Sequence, residues 1–318
     1  MSESSKRTID FMGFRRVAAA LSIILVLGSA VSLGIKGLEL GLDFTGGSLV
    51  ELEYAEAPAL PEVRGQLESA GFENAMVQNF GSDTAVLIRL PAEFDDSVGD
   101  QVVSALSQGA ELTLERSEYV GGQVGEELRE QGGIALLLAF FVVLIYVAMR
   151  FQLKFGFASV VPLVHDVLIV LGIFSVFQLT FDLTVLAALL AVIGYSLNDT
   201  IIVSDRIREN FRRILKGGPE EIINTSLNQV LLRTIVTSAT TLVVLLSLLV
   251  FGGEMIRNFA LALFIGVLVG TYSSIYVAAN MLVALNVNRD DLYVPKKEGA
   301  EGSQPEEEEP PDWLKRME

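Results

Sequence analysis

Six long apolar runs limit what this 318-residue chain can fold into. A helix needs roughly 20 consecutive apolar residues to cross the hydrocarbon core of a bilayer. The runs are 17–35, 134–149, 157–177, 183–203, 235–251 and 259–285. Apolar residues make up 51% of the chain and its mean hydropathy is +0.49, which is high for a soluble protein. The sequence therefore predicts an α-helical membrane protein with six transmembrane helices.

Lysine and arginine residues are concentrated on one side of these predicted spans. They accumulate before span 1, between spans 2 and 3, between spans 4 and 5, and after span 6. Between spans 3 and 4 there is none, and between spans 5 and 6 there is only Arg257. Because cytoplasmic loops carry such an excess, both termini are predicted to be cytoplasmic and the long segment 36–130 to lie outside.

These patterns divide the chain into successive predicted segments. The predicted transmembrane helices are 17–35, 131–150, 157–177, 183–204, 232–252 and 258–285. The other predicted segments are a cytoplasmic N-terminus (1–16), an outside domain (36–130), a cytoplasmic amphipathic loop (205–231) and a disordered acidic cytoplasmic tail (286–318). The loop is expected to form an interfacial amphipathic helix that breaks at Gly217-Gly218-Pro219. The charged, Pro-rich tail is expected to be disordered.

Segment 36–130 alternates between strand-like and helix-like patterns. In its first strand, Val50 and Leu52 alternate with Glu51 and Glu53, which is the period of a half-buried strand. The predicted elements are strand 48–56, helix 60–70, strands 75–80 and 84–90 around the turn Gly81-Ser82-Asp83, helix 98–106 and strand 110–120. This βαββαβ order predicts a ferredoxin-like α+β domain, which by itself indicates no function.

Glycines mark the connection between the first span and the outside domain, in "GLDFTGG" (41–47). Gly41, Gly46 and Gly47 allow backbone conformations that other residues avoid, so we expect a hinge or a tight turn here. A phosphate-binding loop is disfavoured, because the GK[ST] element that such loops need is absent.

Charged residues inside the fourth and fifth spans are the main candidates for function. A charge in the bilayer centre costs roughly 2.5–3.5 kcal/mol on insertion scales, so such residues are usually functional. Asp199 shares a helical stripe with Tyr195, Asn198 and Ile202, and this stripe is expected to face other helices. An Arg233 side chain near Asp199 would stabilise the ionised carboxylate and be released on protonation, which makes a two-state electrostatic element.

The fifth span places Thr237, Thr240 and Thr241 on one face with Arg233. Two blander alternatives stay open for the charged pair. Asp199 and Arg233 could form a static ion pair that locks two helices together. Alternatively, Arg233 could lie at the membrane interface and extend its charged end into water.

The third span carries a further polar pair, His165 and Asp166, one turn after Pro162. His165 could titrate near neutral pH, although a single histidine is more often a hydrogen-bonded packing residue. Asp166 is the better candidate for a second polar site. Gly266 and Gly270 of the sixth span are expected to serve close helix packing.

Composition also limits the chemistry. The chain has no cysteine and one histidine, so we expect no metal site and no cofactor. Intramembrane proteolysis by Asp166 and Asp199 as an aspartyl pair is disfavoured, because the sequence lacks a GxGD element. A serine hydrolase is disfavoured as well, because "GYSLN" is not a GxSxG motif.

Several motifs in order along the chain carry a family resemblance. They are "GLDFTGGSLVEL" (41–52), "HDV" (165–167), "GYSLNDTIIVSDRIRENFR" (194–212), "RTIVTSATTL" (233–242) and "FGG" (251–253). Together they resemble the SecF branch of the SecD/SecF family of the bacterial Sec translocon, within the resistance-nodulation-division (RND) superfamily. The resemblance runs from about residue 10 to 288, and it does not cover the acidic tail.

The resemblance implies a function that composition does not show. It implies a non-enzymatic subunit of the bacterial cytoplasmic (inner) membrane that pairs with SecD, is accompanied by YajC, and acts beside SecYEG without nucleic acid. There it would use the proton motive force to promote preprotein translocation. The family's proton-transport residues map by motif onto Asp199 and Arg233, while Asp166, Asp205 and Arg206 take supporting roles. The alternative is a proton-coupled exporter of small molecules from the same superfamily.

Overall fold

The computed structural model describes residues 8–90, 97–107, 110–214, 216–288 and 291. Its helices are α1 (Arg15–Ile35), α2 (Leu42–Thr45), α3 (Leu60–Ser69), α4 (Val98–Leu106), α5 (Gly122–Arg150), α6 (Leu153–Phe177), α7 (Leu183–Arg213), α8 (Pro219–Phe251) and α9 (Glu254–Ala284). Its strands are β1 (Glu39–Leu40), β2 (Gly47–Tyr54), β3 (Met76–Phe80), β4 (Ser82–Leu90), β5 (Leu112–Val120) and β6 (Thr180–Phe181). Nearly all of the predicted acidic tail lies outside the described residues.

Helices α1 and α5 to α9 are each long and apolar enough to cross a membrane, which confirms the six predicted helices. They differ in how deeply the protein buries them. In the most apolar 18-residue stretch of each helix, the share of buried residues is 56% in α6, 56% in α7 and 44% in α9. It is only 17% in α1, 11% in α5 and 17% in α8. The centre of the bundle is therefore α6, α7 and α9, and any buried polar site is expected on these helices.

The segment predicted as a cytoplasmic amphipathic loop does not form a separate interfacial helix. Helix α7 continues through Arg213 and α8 already begins at Pro219, so the break falls at the predicted Gly217-Gly218-Pro219. Ile207 and Phe211 are buried because they extend the buried face of α7. At 1.5 Å per residue, the 31 residues of α7 measure about 46 Å, which is longer than the hydrocarbon core is thick.

Between α1 and α5 the chain forms an α+β unit with the element order β2-α3-β3-β4-α4-β5. Its sheet has the strand order β3-β4-β2-β5 and every pairing in it is antiparallel. Val50 and Leu52 on one face of β2 are buried against Leu67 of α3 and Val102 of α4. The predicted strands and helices are confirmed, but the hairpin turn is tighter than predicted, because Phe80 already pairs with Ser82.

A short junction connects this unit to the helices. Strand β1 pairs in parallel with β6, which lies between α6 and α7. Phe44 of α2 stacks on Phe181 with their ring centroids 5.9 Å apart, and Arg89 of β4 donates to the Leu40 carbonyl at 3.3 Å. The segment that follows α1 is thus held at the start of α7.

At the opposite end of the bundle, the segment before α1 is held by α8. Asn228 accepts from the Ile9 N–H and donates to the Ile9 carbonyl, both at 2.8 Å. One turn earlier, Asn224 accepts from the Phe11 N–H at 2.8 Å. These hydrogen bonds to backbone atoms hold the N-terminal segment against the end of α8 that is predicted to face the cytoplasm.

Candidate functional site

Asp199 is a buried carboxylate in the middle of a spanning helix. Its side chain points inward because it belongs to the buried face of α7, and the residue is only 2% exposed. It lies about 24 Å along the helix from Leu183, which is within the span of a bilayer core. Among the described residues, its Oδ2 atom has no hydrogen-bond partner. A buried acid without a partner is costly, and this cost sets it apart from ordinary packing residues.

The other predicted members of this site lie on the outer surface of the isolated chain. Arg233 and Thr237 on α8 are exposed, and so is Asn198 on α7. Thr237 donates to the Arg233 carbonyl of its own helix at 3.0 Å. Asn198 lies on the exposed surface of this chain, away from the side of α7 that buries Asp199, so the expectation that the whole stripe faces other helices stays a prediction for Asn198.

Asp199 and Arg233 do not form a close ion pair. No ion pair within 4.0 Å joins these two described side chains. The interpretation of a static, locked pair is therefore not what the structure contains. The arrangement leaves the carboxylate free to change its charge without first breaking a salt bridge.

Polar contacts between α7 and α8 lie on both sides of Asp199. Towards one end, Tyr195 donates to Ser238 at 3.4 Å, and Ser238 lies 2.7 Å from Thr271 of α9. Towards the other end, Asn210 donates to Ser226 at 2.9 Å. Asp199 thus sits at an interface of two antiparallel helices that is hydrogen-bonded above and below it.

Asp166 forms a second buried polar cluster, and its hydrogen bonds are complete. It is 0% exposed on α6. Its Oδ1 lies 2.8 Å from His165 Nδ1, and its Oδ2 accepts from Ser196 of α7 at 2.5 Å and from Ser273 of α9 at 2.8 Å. One carboxylate therefore joins the three central helices.

Sequence reasoning missed the two serines that donate to Asp166, Ser196 and Ser273. A usable signal was Gly270, predicted as a packing residue. A Cβ atom there would lie 3.2 Å from the Ser196 Cβ and 3.5 Å from the Asp166 carboxylate. Its absence lets α9 approach this cluster closely. The expected packing role of Gly266 is also confirmed, since a Cβ there would collide with Val192.

His165 extends this cluster towards α1. Its ring stacks on Tyr272 of α9 with centroids 6.2 Å apart, and its buried Nε2 has no hydrogen-bond partner among the described residues. The Tyr272 hydroxyl donates to the Ala18 carbonyl at 2.7 Å and lies 3.0 Å from Ser22. The cluster thus ties α1, α6, α7 and α9 together.

Comparisons with known proteins identify the family. Residues 101–288 match the family model described as "Protein export membrane protein SecD/SecF, C-terminal", and residues 31–57 match the family model described as "SecD/SecF GG Motif". The protein translocase subunit SecF of Pseudomonas aeruginosa is 53% identical over 292 residues, covering 91% of this chain and 95% of that one. This chain belongs to the SecD/SecF family.

Further relatives agree. SecF of Vibrio alginolyticus is 46% identical over 304 residues, covering 93% of this chain and 96% of that one. The crystal structure of SecDF, a translocon-associated membrane protein from Thermus thermophilus, superposes with a TM-score of 0.82 at 38% identity. It covers 90% of this chain, which spans only 40% of the SecDF chain. With six apolar helices and these relatives, the SecD/SecF family member described here is a multi-pass membrane protein of protein transport.

The glycines of the family's GG motif form close backbone contacts. Gly46 and Gly47 have φ angles of +66° and +122°, in the range that favours glycine. A Cβ on Gly46 would lie 2.6 Å from the Gly122 Cα, and one on Gly41 would lie 2.9 Å from the Asp182 Cβ. These contacts form a tight turn at which α2 packs on α5, and a hinge motion about it stays a prediction.

Within the same motif, Asp43 is a residue that sequence reasoning overlooked. Its Oδ2 accepts from the Leu183 N–H at 2.9 Å, at the first turn of α7. Asp182 caps the same helix end by accepting from the Val185 N–H at 2.9 Å. The motif of this SecD/SecF chain therefore holds the start of the helix that carries Asp199.

A cleft of about 270 Å³ separates the open face of the sheet from the helix ends at this junction. Arg116 and Glu51 line it from the sheet, and Asp182 and Asn258 line it from the helices. Burial raises the pKa of the Glu51 carboxyl, and the nearby Arg116 guanidinium opposes part of that rise. Clusters of three or more metal-ligating side chains do not occur in the described part of the chain.

Proposed function

We propose that this protein is the SecF subunit of a SecD–SecF complex that uses the proton motive force to promote preprotein translocation through SecYEG. The single observation that carries the proposal is Asp199, a buried carboxylate with an unpartnered oxygen in a spanning helix of a SecD/SecF family member. Intramembrane acids of this kind are typical of proton relays. The relatives, a protein translocase subunit SecF and the translocon-associated SecDF, support the transport role.

In this mechanism Asp199 takes up a proton from the outside and releases it to the cytoplasm. The carboxylate attracts the guanidinium of Arg233 only while it is ionised, so each protonation alters the force between α7 and α8. One charge that crosses the membrane yields about 2.3 kcal/mol per 100 mV. This free energy is enough to bias one conformational step of a two-state helix pair.

The junction at the start of α7 would transmit that step to the α+β unit. Asp43 holds the Leu183 N–H, and β1 pairs with β6 immediately before α7. A displacement of α7 therefore also moves the segment that leads into β2, with Gly41, Gly46 and Gly47 as the proposed hinge. A second SecDF structure, described as the super-membrane-facing form, gives a TM-score of only 0.67 at the same 38% identity. This difference supports a family fold with more than one arrangement.

The proposal includes a placement in the cell. We place the chain in the bacterial inner membrane with both termini cytoplasmic, and the α+β unit outside as a ferredoxin-like domain. The domain boundaries, the tail from residue 286 and the partners SecD, YajC and SecYEG are parts of the same proposal. Asn198, Thr237, His165 and Asp166 take supporting roles, and the chain acts as a transport subunit without an enzymatic reaction. Export of small molecules is not favoured, because the named relatives are translocase subunits.

Preprotein export in vesicles that contain the complex tests this function. Asp199→Asn and Arg233→Met should each lower the part of the export rate that depends on the membrane potential by about tenfold or more. The matched controls Asp83→Asn and Arg257→Met change exposed side chains outside the buried site and should export like the parent. Export that keeps its full response to the potential in both site variants would contradict the proposal.

A further inference from the structure

A second buried oxygen without a partner lies across the interface from the helix of Asp199. Thr234 on α8 is 1% exposed, and its Oγ1 has no hydrogen-bond partner among the described residues. Spanning-helix threonines usually donate to their own backbone, as exposed Thr237 and Thr240 do on the same helix. The hydroxyl of Thr234 is therefore buried and also available to a group outside its own helix.

The register of the two helices brings Thr234 opposite Asp199. Tyr195 donates to Ser238 across the interface. Asp199 follows Tyr195 by one helical turn, and Thr234 precedes Ser238 by one helical turn. Because the helices are antiparallel and residues four apart share a face, both side chains lie one turn from the Tyr195–Ser238 contact, in the same direction. The lower contact between Asn210 and Ser226 keeps the two helices together beyond this level.

Neighbouring residues do not satisfy the same geometry. Arg233 precedes Thr234 by one residue, so it is rotated by about 100° around α8 and is exposed. Thr200 also has an unpartnered hydroxyl, but it is rotated by a similar angle around α7, towards the side where Ser196 meets Asp166 of α6. Among the described residues of α8, Thr234 is the one that combines a buried, unpartnered hydroxyl with the face that opposes Asp199, because Ser238 on the same face already contacts Tyr195 and Thr271.

We propose that Thr234 is the residue to which Asp199 forms a hydrogen bond during proton transport, and so its positioning residue; in the described conformation both oxygens are still without a partner, and the bond is not yet made. A hydroxyl can both donate and accept. Once the two side chains meet, Thr234 donates to the carboxylate while Asp199 is ionised, and it accepts from the carboxylic acid after Asp199 has taken up a proton. The inference rests on the proposed proton transport by Asp199. In it the Arg233 charge has a separate role, because it acts on the same carboxylate through space rather than through a hydrogen bond.

Infrared difference spectroscopy of the purified complex tests the pair. The carboxylic acid C=O band that disappears in Asp199→Asn belongs to Asp199, and loss of a hydrogen bond moves such a band to higher wavenumber. Thr234→Val keeps the side-chain shape without the hydroxyl and should shift the band upward. Thr234→Ser should restore its position, and the matched control Thr240→Val should leave it unchanged. A band that stays in place in Thr234→Val overturns the inference.

Transport measurements separate this inference from the function on which it rests. Thr234→Val should lower potential-dependent export about five- to tenfold, the effect of one lost hydrogen bond, and Thr234→Ser should recover most of it. Normal export by Asp199→Asn would contradict the proposed function, even with the band shift present. Should Thr234→Val fail to assemble, Thr234→Ala provides the same spectroscopic comparison, and an unshifted band there overturns the pairing equally.

Discussion

The two buried aspartates have opposite hydrogen-bonding states, and this difference indicates different roles. Asp166 receives contacts from His165, Ser196 and Ser273, which joins three helices. Asp199 has an oxygen without any partner in the described structure. A carboxylate whose hydrogen bonds are all made resists a change of its charge. A buried carboxylate with an unbonded oxygen has a higher free energy, and binding a proton lowers it. We therefore assign structure to Asp166 and change of charge to Asp199.

Removing one serine from the Asp166 cluster should destabilise the bundle. Ser196→Ala or Ser273→Ala leaves the buried Oδ2 with one donor fewer, and we expect a loss of about 1–3 kcal/mol. Thermal unfolding of the purified protein in detergent measures this as a lower Tm. Ser247→Ala is the matched control, because Ser247 is exposed and donates only to its own helix. Equal Tm values for all three variants would remove the structural assignment.

At the residue scale, the sequence predicted which charges matter better than where they point. Asp199 stood out because a carboxylate among apolar residues is costly in a membrane. The exposure of Asn198 and Arg233 could not be predicted, because periodicity identifies a stripe but not which side of it neighbouring helices cover. The serines around Asp166 were missed for the same reason, since their role depends on three helices that meet.

At the scale of elements, the junction before α7 connects the α+β unit to the proposed proton site. It was not predictable, because β1 and β6 are too short to give a strand pattern and their paired residues, Glu39 with Thr180 and Leu40 with Phe181, are far apart in the sequence. The longer strands and helices of the α+β unit were predictable, since each shows its own period over many residues. A helix after the fourth span was predicted, but not its continuity with that span as one helix through Arg213, because an amphipathic pattern does not show whether its apolar face packs on lipid or on other helices.

Loss of the Asp43 carboxylate should weaken this junction. Asp43→Ala removes the acceptor of the Leu183 N–H, and helix capping contacts of this kind contribute about 1 kcal/mol. We expect a lower Tm and weaker coupling of export to the membrane potential, measured on the same preparations. Asp83→Ala, on the exposed turn between β3 and β4, serves as the control. Unchanged coupling in Asp43→Ala would show that the junction does not transmit the step.

At the scale of the molecule, the surface of the helix bundle is more apolar than the chain alone can cover. Apolar side chains of α1, α5 and α8 remain exposed, among them Leu137, Phe141 and Val243. Lipid or other helices must cover them, and this chain spans 40% of the SecDF structure that it resembles. The polar exposed face of α8, with Arg233 and Thr237, is costly against lipid, so we expect SecD helices to cover that face.

Cysteine labelling tests the proposed topology. The chain has no native cysteine, so a single introduced one is unambiguous. Thr113→Cys in the α+β unit should react with a membrane-impermeant maleimide on intact spheroplasts. Lys216→Cys between α7 and α8 should react only after permeabilisation. The opposite pattern would reverse the orientation derived from lysine and arginine placement.

Proton flux into proteoliposomes of the SecD-containing complex tests the central claim most directly. With an imposed pH gradient and a translocating substrate, the parent should conduct protons and Asp199→Asn should reduce the flux to that of protein-free liposomes. Asp199→Glu, which keeps the carboxylate, should retain part of the flux. Parental flux in Asp199→Asn would contradict the account, because the proton would then cross without the carboxylate on which every other step depends.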